Sequence, residues 1–187
     1  LFRSIMGSEY YRAGRTEIEG AVSKKMVTPE LMASQIEELT GFRFVDADGF
    51  DQLLEDSRGF LTLAGGADGY YVTRHATSPN TTVLLVQERL AEAAAEYVVQ
   101  ADVEAESPAL FTEILPTTGF DEGPAGFVRQ VQALHLRFFG ARLEESGEEV
   151  SANIELWKEL YGIDNEAELA WIGLVSALLR DPDMLFY

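Results

Sequence analysis

An all-α fold is predicted for this sequence: an irregular multi-helix bundle with a long glycine-containing loop region between residues 41 and 82. Three observations predict it. Apolar residues recur at three- and four-residue steps in successive segments, the spacing of one face of an α-helix. Helix-starting and helix-stopping residues bracket those segments. Strand signals are confined to two short stretches, "FRFVDA" and "GYYVTRH".

The first segment is "TPELMASQIEELTG". Thr28 is placed to cap it, Pro29 suits its first turn, and Gly41 stops it. Met32, Ile36 and Leu39 form its inner edge. A shorter helix is expected from Phe50 to Ser57. The longest helix is expected over Val83–Ala101, with Val83, Val86, Leu90, Ala93 and Tyr97 inward and Glu88, Glu92 and Glu96 outward. Thr81 or Thr82 would cap it. The next runs from Pro124 or Ala125 to Phe139, with Phe127, Val131, Leu134 and Phe138 as its stripe and Gly140 as a left-handed cap. Ser146 and Glu149 have capping-box spacing ahead of a helix carrying Val150, Ile154, Trp157 and Tyr161, which Gly162 would close. Asn165 and Glu168 open the last helix, "AELAWIGLVSALLR". That helix is apolar nearly all round, as a helix in the middle of a bundle must be.

The 187 residues are read as a single helical domain, long enough to bury a substantial core without metals or disulfides. The chain starts at Leu1 in mid-pattern, which points to a fragment of a longer protein. It has no cysteine, so zinc-thiolate, iron–sulfur and c-type haem chemistry are excluded. No cofactor is expected. The net charge of −18 argues against nucleic acid as a partner, since phosphate binding needs a clustered basic surface. No window is apolar enough for membrane insertion.

Two stretches could carry chemistry. "DADGFDQLLED" brings Asp46, Asp48 and Asp51 close together, and calcium prefers such converging oxygens. Its glycine and glutamate miss the EF-hand positions, and an acidic first helical turn accounts for the same residues. "LAGGADGYYVTRHATSPNTT" is the richer candidate: Asp68, Tyr70, Arg74 and His75 supply an acid, a hydroxyl, a guanidinium and an imidazole beside Gly65, Gly66 and Gly69. No phosphate-loop or dinucleotide spacing is present. A structural loop, with its tyrosines packed on helices and Arg74 paired with an acidic neighbour, accounts for the same residues and is the simpler reading. His135 lies at the edge of a core face and reads as a hydrogen-bonded core histidine.

"GGADGYYVTR", "VQERLAEAAAEYVV" and "LLRDPDMLFY" resemble segments of large exported bacterial proteins of unknown function that are associated with planctomycete-type cytochrome c domains. The resemblance implies a periplasmic or extracellular setting and a multidomain context. It transfers no catalytic residue. The expected role is a helical scaffold or interaction module without catalysis of its own, whose partners are other domains of the same polypeptide or another protein. The alternative is a component of a hydrolase or oxidoreductase with its site at the 63–82 loop. A deep pocket gathering Arg74, His75 and a further carboxylate would favour the enzyme; an exposed position would favour the module.

Overall fold

A computed structural model describes residues 24–55 and 59–187. Five α-helices occur among them: α1 Pro29–Thr40, α2 Thr81–Val103, α3 Pro124–Phe139, α4 Glu148–Asp164 and α5 Ala167–Leu179. Short 3₁₀ turns at Phe120–Glu122 and Pro182–Leu185 complete the ordered elements. The described residues form no strand. "FRFVDA" contributes one isolated bridge, Val45 to Asp51, and a second joins Met26 to Phe186. The all-α class predicted from periodicity is the class observed.

α5 packs between α2 and α4, while α3 lies on α4 and α1 on α2. The helix with the least polar surface thus takes the central place, because no other position buries apolar residues on so many sides. Gly173 sets one of these approaches. A Cβ there would lie 2.6 Å from Leu160 Cδ1 of α4, so a larger residue would force the Leu160 side chain to move. Ala177 of the same helix is exposed. Side chains from all five helices meet in one apolar core. At its centre, Phe127 of α3 stacks on Trp171 of α5 at 4.4 Å, and Trp157 of α4 meets Phe127 edge-on at 4.8 Å.

The helix ends follow local chemistry, with four corrections. α1 starts and stops as predicted: the Thr28 hydroxyl accepts from Leu31 N–H, and Gly41 ends the helix at φ +74°. α2 is capped by Asn80, whose carbonyl oxygen accepts from Val83 N–H, not by Thr81 or Thr82. Asparagine outranks threonine as a cap, and Thr82 merely donates its hydroxyl to the Asn80 side chain. α4 begins after Gly147 with no side-chain cap, so the Ser146–Glu149 box does not form. α4 also continues through Gly162 to Asp164, where Asn165 takes the left-handed position at φ +57°. Asn165 therefore ends α4 rather than opening α5.

The inner face of α2 differs from its predicted stripe. Val83, Val86 and Leu90 are buried, but further along the buried positions are Ala91, Ala94, Ala95, Val98, Val99 and Asp102. Ala93 is half-buried and Tyr97 exposed. A helix packed on α5 along most of its length buries a wide band, and small alanines fill it where the neighbour is close.

Buried polar side chains hold the connections. The Asp102 carboxylate accepts from the backbone N–H groups of Ala109, Leu110 and Phe111 at 2.7, 2.7 and 3.0 Å. Gln130 of α3 donates to Leu110 C=O and accepts from Glu113 N–H. Together they fix the segment between α2 and α3, which presses Leu110 and Phe111 into the core. Gln87 donates to Leu179 C=O, capping the end of α5. At the surface, the exposed Arg137 donates to Leu39 C=O and Glu38 C=O, satisfying the carbonyl end of α1.

Candidate functional site

The 63–82 stretch leaves and returns to the body at one point. Ala76 N–H donates to Gly65 C=O at 2.8 Å, closing the base of the excursion. Gly65 sits there at φ +89°, and a Cβ would meet Ala76 Cβ at 3.0 Å and Met26 Cε at 3.1 Å. Both backbone sign and space therefore demand glycine. Ala64, Gly65 and Gly66 are buried, while residues 69–75 are exposed.

Asp68 shapes the tip. Its Oδ1 accepts from Tyr70, Tyr71 and Val72 N–H, each at 2.8 Å, and Gly69 N–H donates to Val72 C=O. This is an Asx-type turn, in which a side-chain oxygen replaces a backbone carbonyl. The Val72 N–H and the two others hold the Asp68 carboxyl below its ordinary range. The acid is occupied in shaping the turn. The outcome is that both tyrosine rings project into solvent, Tyr70 at 79% and Tyr71 at 86% exposure. They touch each other edge to face at 4.7 Å between centroids.

Arg74 and His75 lie exposed on the returning limb. His75 lies near enough to the first turn of α1 to act on Glu30 through space. The Glu30 carboxyl is held below its usual range mainly by the Thr28 hydroxyl, with His75 adding to that effect. Asp68, Tyr70, Arg74 and His75 do not converge on a hollow. A groove of about 230 Å³ lies elsewhere, between α1, the 42–54 segment and Leu90 of α2. Ile36, Phe42, Phe44 and Leu53 line its floor, and Glu37 and Arg43 its edge at 3.7 Å from each other.

The acidic stretch forms a turn. Asp46 Oδ1 accepts from Asp48 and Phe50 N–H, and Asp51 Oδ1 from Leu53 and Leu54 N–H. The predicted helix from Phe50 to Ser57 is replaced by a turn at residues 52–54, and residues 56–58 lie outside the described set. Among the described residues, no three His, Asp or Glu side chains are grouped so as to hold a metal ion. Asp46 and Asp51 each commit an oxygen to backbone N–H groups within the turn, which leaves calcium little to gain. Millimolar calcium is accordingly expected to leave the melting temperature unchanged in a thermal melt. A rise of several degrees would instead place a cation among Asp46, Asp48 and Asp51.

Sequence reasoning missed Asp102, Gln130 and Asn153. The first two are legible in retrospect, being polar residues in phase with an apolar stripe. Asn153 pairs with His135, which the sequence placed correctly at the core edge; it is half-buried and hydrogen-bonded.

The chain matches no protein-family model, no curated protein and no solved structure. No helix among the described residues is long and apolar enough to cross a membrane.

Proposed function

We propose that this chain is a non-catalytic helical interaction module of a larger exported bacterial protein, and that the Tyr70–Tyr71 pair is its principal contact. One observation carries the reading: two large aromatic rings stand out from the body on a turn that Asp68 fixes from within. Exposing two tyrosines side by side gains nothing for folding. A preformed turn lowers the ordering entropy of an association, and tyrosines are favoured where a contact becomes dry at its centre. The exposed positions of Arg74 and His75 support the same reading over a hydrolase or oxidoreductase site, which would need a shared hollow. The exported setting rests on the resemblance of the 65–187 segments alone. The partner would be another domain of the same polypeptide or a separate protein, and the net charge of −18 favours a basic surface on it.

The test is calorimetric binding of the chain to its flanking domains supplied in trans. The Tyr70→Ser/Tyr71→Ser double variant is expected to keep its helical circular dichroism and urea midpoint, since both rings are solvated. Its affinity should fall by about tenfold to a hundredfold, the effect of removing two anchor residues. Undiminished binding by the folded double variant, or no association by the unaltered chain, would overturn the proposal.

A further inference from the structure

His135 of α3 faces Asn153 of α4, with 3.0 Å between His135 Nε2 and Asn153 Nδ2. The same Nδ2 donates to Glu149 C=O at 2.7 Å, which identifies it as the amide nitrogen rather than the oxygen. A primary amide nitrogen has two hydrogens and no acceptor capacity. Its second hydrogen therefore points at His135, and Nε2 must receive it. That fixes the imidazole as neutral, with its proton on Nδ1. The remaining surroundings are asymmetric. The ring of Phe139 flanks His135 on its own helix at 5.4 Å. The Glu149 carboxylate of α4 and the Asp181 carboxylate of the turn after α5 are its charged neighbours. Asp183 and Lys24, paired with each other at 2.9 Å, act on Asp181.

We propose that His135 is a proton-operated latch between α3 and α4. Unprotonated, it accepts from Asn153 and ties the two helices. Protonated, Nε2 becomes a donor opposed to a donor, so the contact breaks and the ring turns towards the carboxylates of Glu149 and Asp181. The device makes the α3–α4 junction tight at neutral pH and loose in acid.

Burial lowers the affinity of His135 for a proton below its ordinary value near 6.5. The Asn153 amide would counter burial with its oxygen towards the ring, an orientation that its bond to Glu149 C=O excludes, and the Asp181 and Glu149 carboxylates oppose burial only partly. The unfolded chain then takes the proton first. Stability from this residue is complete above about 6.5 and is lost as pH falls through that value towards the folded one. Asp181 behaves oppositely: burial raises its proton affinity, so its contribution declines as pH rises above about 3.8. The His135 effect is therefore read from pH 7.5 downward, with Asp181 retained in every variant.

Urea midpoints at pH 7.5 and 5.5, with the His135 ring titration followed by NMR, test the latch. The unaltered chain should lose midpoint on acidification, and His135→Gln should lose clearly less, because glutamine can accept from Asn153 at either pH. Asn153→Asp places an acceptor opposite Nε2. There the titration midpoint of His135 should move up by at least one pH unit, and acidification should raise the urea midpoint rather than lower it. Asn153→Ala separates the contact from the charge: it should weaken the pH dependence without inverting it. Parallel losses in the unaltered chain and His135→Gln would overturn the proposal. So would an unmoved His135 titration in Asn153→Asp.

Discussion

Replacing Asp102 with alanine is expected to destabilise the fold by about 4 kcal/mol, a large share of the roughly 5–15 kcal/mol that holds a domain together. The carboxylate is 3% exposed and sits in the last turn of α2, where the helix dipole disfavours negative charge by about 0.3–1 kcal/mol. Three backbone N–H donors outweigh that penalty, since a hydrogen bond to a charged group contributes about 1.5–3 kcal/mol. Alanine leaves the N–H groups of Ala109, Leu110 and Phe111 without their acceptor, and those of Leu110 and Phe111 lie in the buried part of the segment. Asp102→Asn should fall between. Its single oxygen can serve Leu110 and Phe111, which share Oδ2, but its amide then opposes Ala109 N–H. Urea denaturation followed by circular dichroism measures both. A loss below about 1 kcal/mol for Asp102→Ala would show that the α2–α3 connection is held chiefly by its apolar contacts.

How far this architecture could be read in advance depends on which interactions are local. α1 and α3 were legible almost to the residue, because Thr28, Pro29, Gly41 and Gly140 act within one turn of the positions they terminate. The central place of α5 was legible because a nearly uniform apolar surface has one stable location. The acidic turn was ambiguous for a physical reason: Asp46 and Asp51 supply the same oxygens to a backbone N–H as to a cation. The candidate loop was half legible. Gly65, Gly66 and the Tyr70–Tyr71 pair mark it as unusual, but the direction of the rings depends on which N–H groups Asp68 accepts from. Long-range polar contacts are harder still. Asp102 stands four residues after Val98, and Gln130 three after Phe127, so both continue a buried stripe. Periodicity can flag such positions as inward-facing. It cannot name their partners, which lie on a segment with no period of its own.

Trp171→Ala should produce a loss of about 4–5 kcal/mol, from burial of an indole of roughly 200 Å² at about 25 cal/mol per Å². The residue is 0% exposed. It stacks on Phe127 and meets Phe111 edge-on at 5.1 Å and Trp157 at 5.9 Å. Trp171→Phe should cost only about 1–2 kcal/mol. Phenylalanine keeps the ring stacked on Phe127, and it removes an indole N–H that has no hydrogen-bond partner among the described residues. The two large effects are also linked through one residue: Phe111 is anchored by Asp102 at its N–H and by Trp171 at its ring. Once either anchor is gone, Phe111 no longer delivers its full contact to the other. The Asp102→Ala/Trp171→Ala double variant should therefore lose less than the sum of the singles, by about 1 kcal/mol. Strict additivity would mean that the 109–113 segment and the aromatic core are stabilised independently, and that Phe111 does not transmit between them.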